Sequence, residues 1–239
     1  MIAIITQARI NSTRLPNKIF LEASGKPFLS YHIERLKKTG LPVIIATTNN
    51  GSEKPIEDFC ISNDLTFYKG DENDVLRRYY ETAKINKVTT IIRVTSDCPL
   101  VDGDIILKGL AAYGKGSVNT YYSNALERTY PRGMDYEIFS FDLLEQAFQQ
   151  ATTLPDREHV TPYIWNNRLG NVKIVHDVNS EDNSGYRITL DTIEDKQLIT
   201  RLIEEYDAAS LNCKEIVGIL KNDPSLANIN KHIEQKKTG

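Results

Sequence analysis

Short runs of branched apolar residues recur in the first half of the chain, and each run ends in a cluster of polar residues. Runs of this length that are rich in Ile and Val predict buried β-strands. The predicted strands, each with the polar cluster that follows it, are residues 2–5 with 6–7, 43–46 with 47–50, and 91–94 with 95–97.

Apolar residues at helical spacing lie between these strands. Residues 29–36 carry one such pattern, and residues 74–85 carry another that begins at Asp74, a favourable N-cap. Strands that alternate with helices predict an α/β protein with a mostly parallel central sheet and helices on both faces. Ligands of such sheets bind beyond the carboxyl ends of the strands, which is where the polar clusters lie.

The pattern changes after residue 115, where longer irregular stretches separate the elements. Asp142 is a candidate N-cap, Thr192 and Asp195 have the spacing of a capping box, and the tail at 235–239 is expected to fray. The chain shows no repeat and no flexible linker. We expect strands at 117–122, 136–139, 172–175 and 187–190, and helices at 142–151, 193–206 and 214–220.

Charge is distributed unevenly along the 239 residues. Residues 1–40 hold seven basic and two acidic side chains, whereas the whole chain has a formal charge of −3. A local positive field on a mildly acidic protein favours a small anion, such as a phosphate chain, over a nucleic acid backbone. We therefore expect no nucleic acid partner.

The sequence also disfavours a membrane protein and a secreted one. No apolar run approaches the roughly 20 residues of a membrane helix, and Met1 begins the first predicted strand without a signal pattern. The three cysteines and four histidines are scattered, which argues against a disulfide framework and against a zinc site. We expect a cytoplasmic protein with no membrane partner.

The loop after the first predicted strand carries Arg9, Arg14 and Lys18. Arginine offers a planar fork to phosphate oxygens, lysine offers a mobile point charge, and N–H groups of a turn can complete an anion site. The loop lacks the glycine spacings of the P-loop and of dinucleotide-binding folds. The alternative is a solvated surface loop whose charges serve solubility.

Two aspartates, Asp97 and Asp191, each follow a predicted strand. If those strands share one sheet, the two carboxylates meet at its edge, where they could hold Mg²⁺ together with phosphate oxygens and water. The alternative is a turn aspartate before Pro99 and an aspartate at a helix N-terminus. The basic loop favours the metal site, because phosphoryl transfer commonly needs both kinds of charge.

Two further segments combine charge with a turn or with aromatic residues. Asp135 and Glu137 lie two residues apart in a predicted strand, so their side chains share one face. That face could contact sugar hydroxyls, a metal or a basic partner, or it could be exposed to solvent. The segment 156–165, with His159 and Tyr163, could form an acceptor or subunit contact, or begin a helix packed in the core.

Six motifs occur in one order across roughly residues 1–200: 5–18, 74–80, 93–100, 130–135, 157–163 and 187–195. In this order they resemble the cytidylyltransferases that make CMP-activated sugars, a family that includes the acylneuraminate and Kdo enzymes. The resemblance is strongest to the spore-coat polysaccharide branch of that family. Asn17 departs from the glycine that this branch often has, but asparagine tolerates left-handed backbone.

The resemblance implies a glycosyltransferase-A-like (Rossmann-like) nucleotidyltransferase fold in a single domain, 1–239. Its nucleotide-binding part would be 1–115, its acceptor and dimerisation insertion 116–186, and its metal-binding strand end with C-terminal helices 187–239. The implied reaction transfers CMP from CTP to a sugar acid or related small acceptor and releases pyrophosphate, in surface-polysaccharide or glycan precursor synthesis. Mg²⁺, or Mn²⁺ in its place, is the implied cofactor, and a homodimer is the implied assembly.

The resemblance also implies roles for individual residues. Nucleotide binding falls to Ala8, Arg9, Ser12, Arg14, Lys18, Thr48, Asn49, Arg78 and Thr95. Metal binding falls to Asp97 and Asp191, which form the catalytic set together with Arg14 and Lys18. Acceptor binding falls to Asp135, Glu137, His159 and Tyr163.

Two other functions stay open at this point. A glycosyltransferase of similar fold would consume a nucleotide sugar, and a non-catalytic nucleotide-binding protein would bind CTP without turnover. The presence of Arg14, Lys18, Asp97 and Asp191 favours an enzyme over the second of these.

Overall fold

Strands and helices alternate along the first half of the chain, as the apolar pattern predicts. The computed structural model describes residues 1–114, 116 and 118–234. Within these residues the strands are β1 (Ile2–Gln7), β2 (Glu22–Ala23), β3 (Lys26–Pro27), β4 (Val43–Thr48), β5 (Thr66–Gly70), β6 (Thr90–Thr95), β7 (Thr120–Ser123), β8 (Glu137–Ser140) and β9 (Lys173–His176). The helices are α1 (Phe28–Lys37), α2 (Lys54–Ser62), α3 (Val75–Ile85), α4 (Gly103–Tyr113), α5 (Phe141–Gln150), α6 (Leu154–His159), α7 (Pro162–Trp165), α8 (Ile193–Tyr206), α9 (Cys213–Asn222) and α10 (Pro224–Asn228).

A seven-stranded sheet in the order β5-β4-β1-β6-β8-β7-β9 forms the centre of the described residues. Strands β5, β4, β1 and β6 run parallel to one another. Strand β8 is antiparallel to both of its neighbours, and β9 pairs parallel with β7. Strands β2 and β3 form a separate antiparallel pair. The prediction of a mostly parallel sheet with flanking helices is confirmed.

Helices cover both faces of the sheet. One apolar core packs α3, α5 and α7 against the face that carries Ile5 and Ile91. A second core packs α1, α2 and α4 against the opposite face, which carries Ile4 and Ile92. Successive side chains of a strand point to opposite faces, so a central parallel strand is apolar along its whole length. A third core joins α8 and α9 to the segment 187–190.

The three apolar runs at 2–5, 43–46 and 91–94 each lie in an observed strand that extends beyond the run. The pattern missed β5, an edge strand whose residues are mostly half-buried or exposed and which therefore has no continuous apolar run. Ser117, where a strand was predicted to begin, and the tail at 235–239 lie outside the described residues. None of the described helices is both long and apolar enough to cross a membrane.

The predicted N-caps have mixed outcomes. The Asp74 carboxylate accepts a hydrogen bond from the Arg77 N–H at 3.0 Å, and the capping box at the start of α8 is present, so both predictions are confirmed. The prediction for Asp142 is wrong, because α5 begins one residue before it. The Ser140 hydroxyl is the cap, and it accepts from the Leu143 N–H at 3.2 Å.

The predicted strand at 187–190 is also wrong. This segment forms one isolated bridge, between Arg187 and Arg132, and otherwise lies outside the sheet. Its backbone is bonded to loops instead, since the Leu190 N–H donates to the carbonyl of Asp97 at 2.7 Å. An extended segment can satisfy its hydrogen bonds in this way without joining a sheet. The predicted metal-binding strand end is therefore an extended segment bound to two loops.

Gly133 allows one of these loops to approach the extended segment closely. Its φ is +103°, and a Cβ at this position would lie 2.5 Å from the carbonyl oxygen of Ile188. The contact is adjacent to the bridge between Arg132 and Arg187. Because only glycine combines this conformation with so small a volume, residue 133 determines how closely the two segments pack.

We expect Gly133→Ala to lower the free energy of unfolding by at least about 2 kcal/mol, because it adds both backbone strain and a clash with a carbonyl. Gly170→Ala is the matched control, since its φ is +81° but nothing lies within 4 Å of its Cβ position. The control should cost only about 1 kcal/mol. Urea denaturation measures both changes, and equal losses would contradict the close approach.

Candidate functional site

A cleft of about 510 Å³ opens at the carboxyl ends of β1 and β6. This is the place at which open α/β sheets bind their ligands. Most of the predicted nucleotide-binding, metal-binding and catalytic residues line this cleft. Its lining residues are Gln7, Ala8, Arg9, Ser12, Thr13, Arg14, Lys18, Arg78, Arg93, Thr95, Ser96, Asp97, Glu158, His159 and Asp191.

The loop after β1 takes a left-handed turn at Asn17. Its φ of 56° and ψ of 21° are tolerated by asparagine, so the substitution for glycine leaves the turn intact. The Leu15 N–H donates to the Ser12 hydroxyl at 3.4 Å, and the Leu15 side chain is buried in the third core. Anchored at Leu15, the loop presents Arg14 and Lys18 to the cleft.

Two cations and two carboxylates form the centre of the site. The Lys18 ammonium donates to Asp97 Oδ2 at 3.0 Å and to Asp191 Oδ1 at 2.7 Å. The Arg14 guanidinium donates to Asp191 Oδ2 at 2.7 Å. We call these four residues the ion-pair cluster, and Asp97 with Asp191 the carboxylate pair. The structure thus brings together the two aspartates that the sequence placed after separate strands.

A buried network holds the backbone of Asp191. Its N–H donates to the carboxylate of Asp195 at 3.0 Å, and Asp195 is fully buried. The same carboxylate accepts from the Arg187 guanidinium at 2.8 Å and from the Asn230 side-chain amide at 2.8 Å. A buried carboxylate with this many donors is held in one position, so the start of α8 is fixed relative to the cleft.

Asp97 is held from both sides. The Thr95 hydroxyl donates to Asp97 Oδ1 at 2.6 Å, and the Asp97 carbonyl accepts from the Leu190 N–H at 2.7 Å. The fully buried imidazole of His32 lies 2.8 Å from the carbonyl of Cys98. Burial lowers the pKa of His32 to about 4, so it is neutral near pH 7 and acts as a structural support for the Asp97 loop.

The charges of the cluster stabilise one another. Burial acts to lower the pKa of Lys18, but the attraction of Asp97 and Asp191 outweighs it, and the pKa stands above its ordinary value. Burial acts to raise the pKa of Asp97, but the charge of Lys18 and the hydrogen bond from Thr95 outweigh it and lower the pKa to about 2. Lys18 and Asp97 are therefore both charged near pH 7.

The carboxylate pair fits a hard divalent cation. Oxygens of Asp97 and Asp191 both lie within 3.0 Å of the Lys18 ammonium, so a positive charge already occupies the point between them. Carboxylate oxygens suit Mg²⁺ and Mn²⁺, which commonly take their other ligands from water and phosphate. Across residues 1–114, 116 and 118–234, no cluster of three or more His, Cys, Asp or Glu side chains could hold a metal. The substrate and water would therefore supply the remaining ligands.

Some predicted site residues do not line the cleft within the described part of the chain. They are Thr48, Asn49, Asp135, Glu137 and Tyr163. Thr48 is buried at the end of β4, and Asn49 is exposed next to it. Of the four predicted acceptor-binding residues, only His159 lines the cleft.

The other predicted acceptor residues are engaged in contacts with the protein itself. Glu137 forms a cross-strand ion pair with Arg93, at 2.8 Å, and burial raises the pKa of Glu137. Asp135 forms an ion pair with Arg128. The Tyr163 hydroxyl donates to a glutamine side chain at 3.4 Å.

Sequence reasoning missed Arg93 as a site residue. It lies in β6, lines the cleft, and donates to the side chain of Gln7 at 3.2 Å as well as to Glu137. Burial acts to lower the pKa of Arg93, but the charge of Glu137 outweighs it and the pKa is raised. The sequence did contain a signal for Arg93, which is the single charged residue in the apolar run at 91–94. A charged residue in a buried strand is either paired or functional.

The mostly parallel sheet, with cations and a carboxylate pair beyond its strand ends, is the arrangement expected of an α/β nucleotidyltransferase. The model of the cytidylyltransferase family matches residues 3–234. The chain belongs to this family and is a CTP-dependent nucleotidyltransferase.

Individual relatives resemble the chain over almost its whole length. An uncharacterised protein of Methanocaldococcus jannaschii is 34% identical over 235 residues, which cover 97% of this chain and 95% of that one. The spore coat polysaccharide biosynthesis protein SpsF of Bacillus subtilis is 29% identical over 236 residues, which cover 95% of this chain and 96% of that one. The solved structure of a cytidylyltransferase from Leptospira borgpetersenii serovar Hardjo-bovis matches with a TM-score of 0.90 and 30% identity over 99% of both chains.

We expect Lys18→Met to bind Mn²⁺ more tightly than the wild-type protein when no nucleotide is present. Two unit charges about 4 Å apart interact by about 4 kcal/mol near a protein surface. Removal of the ammonium removes its repulsion of a bound cation, so the affinity for Mn²⁺ should rise at least about tenfold. Electron paramagnetic resonance of free Mn²⁺ measures the change.

Lys26→Met is the matched control, because Lys26 is a more exposed lysine that pairs with Glu34. It should bind Mn²⁺ as weakly as the wild-type protein. If Lys18→Met also binds no more Mn²⁺ than wild type, the carboxylate pair is not a cation site.

Proposed function

We propose that this protein transfers CMP from CTP to a sugar acid or related small acceptor and releases pyrophosphate. The observation that carries the proposal is a single cleft with three cations of the first loop, Arg9, Arg14 and Lys18, next to the carboxylate pair. Arginine and lysine suit the oxygens of a triphosphate, and the carboxylates suit the divalent cation that accompanies it. Transfer from a nucleoside triphosphate needs both kinds of charge.

Substrate binding would exchange the partners of the ion-pair cluster. Arg14 and Lys18 would release the carboxylates and bind phosphate oxygens, while Asp97 and Asp191 would hold Mg²⁺. When bound, Mg²⁺ supplies positive charge to the phosphate oxygens. Each group of the cluster thereby finds a new partner of opposite charge, so the exchange leaves no charge unpaired.

In the reaction, an acceptor hydroxyl oxygen forms a bond to the α-phosphorus, and the bond from that phosphorus to the pyrophosphate oxygen breaks. Arg14 and Lys18 stabilise the negative charge that grows on the leaving pyrophosphate. The loop and the carboxylate pair hold the reactants in line, which removes much of the entropic cost of the encounter. No covalent intermediate on the protein is needed.

One relative supports an assignment of the biosynthetic process in which the product is used. SpsF of Bacillus subtilis is described as a protein of spore coat polysaccharide biosynthesis. We therefore place the reaction in the synthesis of surface-polysaccharide or glycan precursors. The homodimer, and the division into parts at 1–115, 116–186 and 187–239, stay predictions.

We expect Asp97→Asn and Arg14→Ala each to lower kcat for pyrophosphate release by about a hundred- to a thousandfold, because each removes a charge that acts on the transition state. The assay is pyrophosphate release from each of the four nucleoside triphosphates with Mg²⁺ and a panel of sugar acids and phosphates. Wild-type turnover should be fastest with CTP and should stop when Mg²⁺ is removed by chelation.

Asp58→Asn and Arg201→Ala are the matched controls, since both residues form ion pairs on exposed helix surfaces. They should retain wild-type kcat. Full activity of folded Asp97→Asn would reject the metal assignment. A nucleoside diphosphate product would identify a glycosyltransferase, and CTP binding without turnover on any acceptor would identify a non-catalytic protein.

A further inference from the structure

Val160, which follows α6, has a backbone conformation that is rare for its residue type. Its φ is 72° and its ψ is −55°, and the Thr161 N–H donates to the carbonyl of His159 at 2.9 Å. This is a γ-turn of the strained, positive-φ kind, and a β-branched residue seldom adopts it. Such strain persists only where the surrounding structure enforces it, and it is often found at functional sites.

The surroundings of α6 do enforce this turn. Val160 and Asp156 are fully buried, and Asp156 forms an ion pair with Arg168 in which one hydrogen bond measures 2.7 Å. Arg157 forms an ion pair with Asp74, the N-cap of α3. These two ion pairs hold α6, which ends at His159 immediately before the turn.

The turn places His159 at the cleft. The side chain is half-buried and lines the cleft, and its imidazole has no hydrogen-bond partner among the described residues. The two aspartates of the cleft are paired with Lys18 and Arg14 and are expected to hold the metal. Among the described residues that line the cleft, His159 is therefore the base that is both half-buried and without a competing hydrogen-bond or ion-pair partner.

We propose that His159 is the general base of the reaction. The inference rests on the proposed function. As the acceptor oxygen forms its bond to the α-phosphorus and pyrophosphate leaves, the hydroxyl proton moves to an imidazole nitrogen of His159. A positioned base of this kind contributes about a hundred- to ten-thousandfold in rate. The strained turn at Val160 serves to hold this base in place.

The other charged groups of the cleft do not share this role. Arg78 of α3 and Arg93 of β6 stay protonated at all working pH values, as do the arginines of the first loop. Glu158, next to His159 in the chain, is exposed to solvent. The pKa of Asp97 is lowered to about 2, and the raised pKa of Lys18 keeps the Lys18 side chain charged. Among the side chains that line the cleft, a histidine is the type suited to accept a proton near neutral pH.

The test compares His159→Gln with His176→Gln, the same change at an exposed histidine of β9. The acceptor is the sugar acid that gives the fastest pyrophosphate release with the wild-type protein. We expect His159→Gln to lower kcat at least about a hundredfold, to leave KM for CTP within about twofold, and to abolish the acidic limb of the pH profile of kcat/KM. His176→Gln should behave as wild type.

A second variant separates the chemistry from folding. We expect free imidazole to restore activity at least about tenfold in His159→Gly but not in Asp97→Asn, because only the first lacks a proton acceptor. CTP binding by calorimetry checks that both variants are folded. Three results would each overturn the inference: an unchanged pH profile, no rescue by imidazole, or an effect confined to KM for the acceptor, which would mean that His159 only binds it. A wild-type protein without turnover on any acceptor would instead reject the proposed function.

Discussion

Neutralisation of charge at one point, between Asp97 and Asp191, is the constraint on which the site depends. Two carboxylates that face the same point repel each other unless a cation lies between them. Lys18 supplies that cation, and Arg14 adds a second contact to Asp191. The first loop is thereby bound to a segment near the other end of the chain. A substrate that displaces these cations has to bring its own cation for the carboxylates and its own anion for Arg14 and Lys18.

The backbone around the cluster is well suited to such an exchange. The Asp97 loop is bonded to Leu190 and to the buried His32, and Asp191 follows a segment held by Asp195 and its donors. These contacts are buried and saturated, so the carboxylates have little freedom to move. Arg14 and Lys18 are long, flexible side chains that enter the cleft from the first loop, so they can change partners without a shift of the backbone. The exchange is therefore expected to move the cations and leave the carboxylates in place.

The sequence predicted the parts of the fold that depend on local pattern. Central parallel strands are apolar on both faces, so β1, β4 and β6 were visible as short runs, and the polar clusters after them located the cleft. The strand at 187–190 was predicted wrongly, because an apolar run that packs in a core between two loops has the same composition as a strand. The two aspartates meet through a hydrogen bond between loops, not through a shared sheet.

Residues whose position depends on distant partners could not be predicted. Arg93 becomes a cleft residue because Glu137, 44 positions away, pairs with it across two strands. The turn at Val160 follows a helix that is held by Arg168 and by Asp74, and no rule of local sequence anticipates a valine with positive φ. Asp135, Glu137 and Tyr163 contact neighbouring side chains, which the sequence did not indicate, and their role at the acceptor stays a prediction. Side-chain pairing of this kind is a property of the assembled fold.

The most direct measurement is a crystal structure of the protein with CTP and Mg²⁺. If Lys18 exchanges its carboxylate partners for phosphate, its ammonium should lie within about 3.2 Å of a phosphate oxygen. Mg²⁺ should then lie between Asp97 and Asp191, in the place that the ammonium occupied before. A triphosphate bound elsewhere, with Lys18 still in contact with both carboxylates, would contradict it.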